Sequence, residues 1–108
     1  MSKFNKLKQL REQIVLLPGL RTYKDFDIAI EIGHQELLGK PVTQKQLLLS
    51  QIASPATVRR HLGRLIKSGL VLRSVSPENR RVVYFLLSPK AHNLFDSCLK
   101  QLQGMLER

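Results

Sequence analysis

The sequence predicts a mainly α-helical fold with one small β-hairpin. Apolar residues recur at three- and four-residue steps along most of the chain, and a Ser or Thr cap precedes several of these segments. Two runs rich in Val, Leu and Tyr flank a polar turn in the second half of the chain, which is typical of a hairpin. At 108 residues the chain has the common size of one domain. We therefore predict a single domain over residues 1–108, with N-terminal helices in residues 1–39.

The first predicted helix covers residues 1–17. Its apolar side chains recur at helical spacing, its lysines lie largely off that stripe, and Pro18-Gly19 ends it. The stripe consists of Phe4, Leu7, Leu10, Ile14 and Leu17.

The second predicted helix starts after Thr22, which is a good N-cap, and runs to about Leu38. It is apolar on two sides, so we expect it to pack on the rest of the domain and on a further partner. One side carries Tyr23, Phe26, Ile30, Gly33 and Leu37, and the opposite side carries Ile28 and Ile32.

Two more helices are predicted within residues 43–87. Thr43 caps a short helix over residues 44–51. The next helix has the clearest start in the chain, because Ser54 is an N-cap and Pro55 occupies the first helical position. At 100° per residue, one face carries Val58, Leu62, Leu65 and Ile66, and the opposite face carries Ala56, Thr57, Arg60, Arg64 and Lys67, with Arg59 on the flank.

The hairpin is predicted to pair residues 70–75 with residues 81–87. Ser88-Pro89 then starts a C-terminal helix within residues 88–108. The order of elements in residues 43–87 is that of a winged helix-turn-helix, in which the hairpin is the wing. The apolar stripe of the last helix consists of Leu94, Phe95, Cys98, Leu99, Leu102, Met105 and Leu106.

The charge is strongly basic and unevenly distributed. The chain has 18 Lys and Arg against 8 Asp and Glu, a formal net charge of +10. Residues 54–81 alone carry seven basic residues and one acidic residue, next to a net acidic segment over residues 25–53. A polarised surface of this kind favours a polyanionic partner, although a solvated Lys/Arg face is the simpler alternative. Without a membrane-spanning apolar run or a signal peptide, the sequence predicts a soluble cytoplasmic protein.

The basic helix and the wing predict contacts to double-stranded DNA. Small residues near the helix start allow close approach to the major groove, and arginines offer donors to guanine edges and phosphates. Arg59 and Arg60 are expected at base edges, and Arg64 and Lys67 at phosphates. The hairpin tip suits the minor groove, although Arg81 could instead hold the shape of the wing. The predicted DNA-binding residues are Ser54, Ala56, Thr57, Arg59, Arg60, Arg64, Lys67, Arg80 and Arg81.

Short motifs in residues 43–90 resemble those of MarR-type transcription regulators. They are Thr43-Gln44-x-x-Leu47, Ser54-x-x-Thr57-Val58-x-Arg60, Leu65-x-x-x-Gly69-Leu70-Val71, and Pro77-Glu78-Asn79-x-Arg81 followed by Leu87-Ser88. The resemblance implies a homodimer that binds pseudo-palindromic DNA, often as a repressor, with the second of these helices in the major groove. The family usually has an acidic residue where Asn79 stands, paired with the arginine that matches Arg81. It also usually has a further C-terminal helix, so we expect a reduced dimer interface.

The two terminal helices are predicted to dimerise. Their apolar stripes are too long for a winged-helix core to cover, and an uncovered stripe needs a partner. They could alternatively pack on each other within one monomer, or the basic first helix could lie on an anionic membrane. The predicted dimerisation residues are Phe4, Leu7, Leu10, Ile14, Phe95, Leu99, Leu102 and Leu106.

Nothing in the sequence indicates an enzyme, a cofactor or a metal site, and no effector can be named. The three histidines lie in separate elements without ligand spacing, and no glycine-rich phosphate loop is present. Cys98 is expected in the core rather than as a redox sensor. Asp25 and Asp27 are interpreted as helix-start charges, and His61 as structural. The rival functions are a winged-helix protein-interaction module and a non-specific architectural DNA-binding protein.

Overall fold

The computed structural model describes residues 3–15 and 20–107, and it is mainly helical with one antiparallel hairpin. This arrangement confirms the predicted order of elements. The elements are α1 (Lys3–Val15), α2 (Tyr23–Leu37), α3 (Gln44–Leu48), α4 (Pro55–Lys67), β1 (Val71–Val75), β2 (Val83–Leu87) and α5 (Pro89–Leu106). The predicted end of the first helix, at residues 16–19, lies outside the described residues.

The helix starts are fixed by the predicted caps. The side-chain oxygens of Thr22, Thr43, Ser54 and Ser88 each accept a hydrogen bond from the backbone N–H three residues later. Gly69, with φ of 79°, follows the end of α4 in the left-handed conformation that glycine adopts without strain. The predicted caps are therefore confirmed as the local signals that define these helices.

The short helix α3 ends three residues earlier than predicted. The Ser50 hydroxyl donates to the carbonyl of Leu47 at 2.7 Å, and Gln51 has a positive φ of 63°. A left-handed residue cannot continue a right-handed helix, so the chain turns here toward the start of α4. This turn separates the two helices of the helix-turn-helix.

The wing is a two-stranded sheet whose register runs from Val71 opposite Leu87 to Val75 opposite Val83. The second strand begins two residues later than predicted, because Val82 closes the loop. The backbone N–H of Ser76 donates to the carbonyl of Val82, and the N–H of Val82 donates to the carbonyl of Asn79.

The core forms where α2, α4 and the wing meet. Its largest fully buried side chains include Phe85, Ile28, Ile32, Leu47 and Leu65. The buried side of α2 is therefore the side of Ile28, Ala29 and Ile32, and it packs on α4 and β2. On the other side, Phe26 makes an edge-to-face contact with Phe95 of α5, and the Tyr23 hydroxyl accepts from Arg11 Nε of α1 at 2.6 Å, whereas Ile30 and Leu37 are exposed. This side is therefore largely uncovered within the chain, and its packing on a further partner stays a prediction.

The terminal helices α1 and α5 pack beside each other but leave apolar side chains uncovered. Cys98 is buried, which confirms its predicted core position, whereas Leu10, Phe95 and Leu102 are half-buried. The Ile14 side chain lies outside the described part of the chain. The exposed members of the predicted dimerisation set are Phe4, Leu7, Leu99 and Leu106, with 69%, 56%, 55% and 60% of their surface accessible. Within residues 3–15 and 20–107, no helix is long and apolar enough to cross a membrane.

Candidate nucleic-acid interface

The candidate interface is built on α4, which buries one face and exposes a cationic one. Val58, His61, Leu62 and Leu65 are buried, so packing fixes how the helix is rotated about its axis. The exposed residues of α4 are Pro55, Ala56, Arg59, Arg60, Gly63 and Lys67. The structure thus places the small residue Ala56 and three of the four predicted helix cations together on one accessible surface.

The start of α4 orients two of the predicted DNA-binding hydroxyls. The Thr57 backbone N–H donates to Ser54 Oγ at 3.3 Å, and Ser54 Oγ donates to Thr57 Oγ1 at 2.9 Å. The Thr57 hydroxyl accepts in this second bond, so its own hydrogen is free to be donated outward. A donor at a helix N-terminus is well suited to an anionic group.

The wing carries Arg80 and Arg81, and both are exposed. Asn79 braces the loop through the backbone, because its Oδ1 accepts from the Arg81 N–H at 3.1 Å. The Ser76 hydroxyl accepts from the N–H groups of Glu78 and Asn79 as well. Within the described part of the chain, no carboxylate lies within 4 Å of the Arg81 guanidinium. The Arg81 side chain therefore makes no ion pair within the described residues, and Asn79 bonds to the Arg81 backbone in place of the expected acidic brace.

Arg81 also borders α3. It lines a surface cleft together with Thr43, Gln44 and Lys45 at the start of that helix. The predicted site residues thus fall into two groups, one on α4 and one where the wing meets α3.

Arg64 lies at the edge of the exposed face of α4, with 39% of its side chain accessible, and part of its guanidinium turns toward α2. Its Nη2 lies 3.4 Å from Asp25 Oδ1 and 2.6 Å from His61 Nδ1. His61 Nδ1 is itself 2.6 Å from Asp25 Oδ1. Asp25 lies in the first turn of α2, as expected of a helix-start charge, but it is buried, and it links α2 to α4 through both partners.

Several influences act on the pKa of Asp25. Burial raises it, because the charged form loses its hydration. The hydrogen bond with His61, the hydrogen bond from the backbone N–H of Arg21 and the positive charge of Arg64 lower it, and together they outweigh burial. The pKa of Asp25 consequently lies below its ordinary value, and the side chain is a carboxylate near neutral pH.

This ionised state makes a pH-dependent contribution to stability. A depressed folded-state pKa stabilises the fold above the ordinary pKa of aspartate, about 3.9, and that contribution is lost as the pH falls through the folded-state value. We expect the free energy of unfolding to decline below about pH 5 in the wild type, and less steeply in Asp25→Asn. Urea denaturation at a series of pH values measures both declines. Asp27→Asn is the control, because Asp27 is an exposed carboxylate on the same helix; equal pH profiles for both variants would contradict this role of Asp25.

Sequence reasoning missed some exposed cations. Arg73 lies on β1 opposite the buried Phe85, yet it is exposed, as are all the residues of β1 after Val71. The two-residue period of a strand puts Arg73 on the buried side with Val71, so the pattern gave no reason to select it. Lys45 on α3 is also exposed. In the sequence, Lys45 is distinguished only by its position in α3, the helix that precedes the basic helix α4.

The described residues give little support to a metal site or a redox-active cysteine. No group of three or more His, Cys, Asp or Glu side chains in residues 3–15 and 20–107 could hold a metal ion. Burial raises the pKa of the Cys98 thiol, which disfavours the reactive thiolate.

Comparison with solved structures shows extensive likeness to MarR-type regulators. The Staphylococcus aureus MepR–DNA complex matches with a TM-score of 0.73 and 16% identity, over 97% of this chain and 82% of that one. A mutant E. coli MarR complexed with operator DNA matches with a TM-score of 0.68 and 23% identity, over 96% and 71% of the two chains. A probable transcriptional regulator from Pseudomonas aeruginosa gives a TM-score of 0.67 and 20% identity, over 94% and 74%.

The sequence itself matches no family model and no curated protein. The comparison therefore rests on the fold, and it confirms the predicted fold: a mainly helical winged helix-turn-helix with a hairpin wing, as in the MarR and MepR structures.

Proposed function

We propose that this protein is a transcription regulator that binds double-stranded DNA with sequence preference, as a homodimer on a pseudo-palindromic site, and represses transcription by occupying that site. The cationic face of α4 carries the proposal, because a buried opposite face holds Arg59, Arg60 and Lys67 outward. MepR and mutant MarR share this fold, and both have been solved in complex with DNA. Their complexes support DNA binding as the proposed function of this chain.

In this proposal α4 enters the major groove with its N-terminal half. Ala56 leaves room for close approach, and Arg59 and Arg60 offer paired N–H donors to the O6 and N7 atoms of guanine. Thr57 and Lys67 bind phosphates on either side of the groove. The wing places Arg80 and Arg81 in the adjacent minor groove, whose negative potential attracts arginine.

The dimer is proposed to form through α1 and α5. Four large apolar side chains of these helices are more than half exposed, and an apolar surface of this kind marks an interaction site. A two-fold dimer presents two α4 helices to one side of the duplex, with half-sites about 34–36 Å apart. The rival protein-interaction module predicts an apolar exposed face on α4, whereas Ala56, Arg60, Gly63 and Lys67 make this face small and cationic.

The phosphate part of this proposal is tested by replacing Lys67 with alanine. We expect binding to weaken to a similar extent on every duplex sequence, because phosphates carry no sequence information. The slope of log K against log salt concentration should fall in magnitude by about 0.9 for each protomer. Fluorescence anisotropy with a labelled duplex at several salt concentrations measures this slope.

Lys40→Ala is the matched control. Lys40 is an exposed lysine between α2 and α3, outside both the proposed DNA contacts and the proposed dimer helices, so its removal changes the net charge equally. A slope change of the same size in both variants would contradict a phosphate contact at Lys67.

A further inference from the structure

Arg64 occupies a position that satisfies its guanidinium poorly. Among the described residues, its hydrogen-bond partners are all reached by Nη2, which lies 3.4 Å from Asp25 Oδ1 and 2.6 Å from His61 Nδ1. The Nε atom is buried and has no hydrogen-bond partner in residues 3–15 and 20–107. A guanidinium has five N–H donors, and each buried donor without a partner costs free energy. The contact to Asp25 therefore leaves donors of Arg64 unsatisfied, and a new acceptor would stabilise them.

The contacts around His61 Nδ1 compete with each other. This one nitrogen lies 2.6 Å from Asp25 Oδ1 and 2.6 Å from Arg64 Nη2. It can carry a hydrogen and donate to the carboxylate, or it can accept from the guanidinium, but it cannot do both. If Arg64 moves away from Asp25, His61 Nδ1 no longer has to accept from the guanidinium. It can then donate its hydrogen to the Asp25 carboxylate without competition.

The Arg64 side chain is partly exposed and can reach solvent without unfolding its surroundings. It is 39% exposed, whereas that of Asp25 is 1% exposed. The two residues line a cleft together with Arg21, Lys67 and Ser68. The cleft is lined by three cations and one carboxylate, a net positive charge that attracts a phosphate approaching α4.

We propose that Asp25 holds Arg64 away from DNA in the free protein, and that a DNA phosphate displaces the carboxylate in the complex. This inference rests on the proposed function and deepens it. Asp25 acts as a positioning residue that touches no DNA. In the free protein its carboxylate pairs with Arg64, and in the complex a DNA phosphate pairs with Arg64 instead. When Arg64 moves to the phosphate, the carboxylate remains hydrogen-bonded to His61 and to the backbone N–H of Arg21.

Binding of one duplex to wild type, Asp25→Asn, Arg64→Gln and the double variant tests the inference. Asp25→Asn should tighten binding roughly fivefold for each protomer, the scale of one partly exposed ion pair, because Arg64 no longer has to leave a carboxylate. This gain should vanish when Arg64→Gln is also present. Asp27→Asn is the matched control, since it removes the same charge from an exposed position on α2. Equal effects of Asp25→Asn and Asp27→Asn, or a gain that persists without Arg64, would overturn the inference.

A second measurement decides the question even if Asp25→Asn does not fold. The Nε–H resonance of Arg64, assigned by its disappearance in Arg64→Gln, reports the guanidinium directly in an NMR spectrum of the wild type. We expect it to shift as duplex is added and to saturate with the bound fraction. Binding without a shift overturns this inference alone, whereas a wild-type protein that binds no duplex overturns both the proposed function and the inference.

Discussion

Replacing Arg60 by alanine is expected to weaken binding to the preferred duplex by about 1–3 kcal/mol for each half-site and to relax the preference at one base position. Arg60 is exposed on α4, one turn after Ala56. A bidentate contact to a guanine distinguishes that base from the other three, so its loss removes both affinity and discrimination. Affinities for the preferred duplex and for duplexes changed at single positions measure the two effects.

The comparison with Lys67→Ala makes this prediction specific. Lys67→Ala should weaken binding to all sequences and leave the base preference unchanged, whereas Arg60→Ala should alter the preference at one position. If the two variants weaken binding equally on every duplex, the assignment of Arg60 to a base edge and of Lys67 to a phosphate is wrong.

Replacing Leu99 by glutamate is expected to dissociate the dimer. Leu99 is 55% exposed on α5, among the apolar side chains proposed to meet the partner. Introducing a carboxylate there leaves a charge to be buried without a counter-ion, which is strongly unfavourable. Sedimentation should show a shift toward the 12.4 kDa monomer. Affinity for a duplex with two half-sites should fall on the order of a hundredfold, because the second half-site no longer binds intramolecularly.

Leu38→Glu is the control for this dimer prediction. Leu38 is 57% exposed, close to the value for Leu99, but it is the C-cap of α2 and lies outside the apolar sides proposed or expected to meet a partner. It should leave both the mass and the affinity unchanged. A Leu99→Glu protein that remains dimeric would show that α5 does not form the interface through this residue.

Local signals explain how much of the fold was predictable. The caps at Ser54 and Ser88 act over three residues, and the faces of α4 follow from its own periodicity, so both can be read from a short segment. The hairpin was predictable for the same reason, because Val71 to Val75 and Val83 to Leu87 are separated by a short polar turn.

The features that were not predictable depend on distant partners. Asp25 meets His61 and Arg64, which lie 36 and 39 residues away, so its own neighbours suggested only a helix-start charge. The choice of the buried side of α2 was similarly open. Both sides are apolar, and only the packing of α4 and β2 against Ile28 and Ile32 decides between them.

Selection of bound duplexes from a random DNA pool, with the purified full chain at about 0.15 M salt, tests the central claim most directly. Sequence-preferring binding by a two-fold dimer predicts a symmetric motif whose half-site centres are about 34–36 Å apart, roughly one helical turn. Recovery of DNA without a motif would contradict sequence preference and favour an architectural DNA-binding protein. Recovery of no DNA would contradict the DNA-binding function itself and favour a winged-helix module that binds another protein.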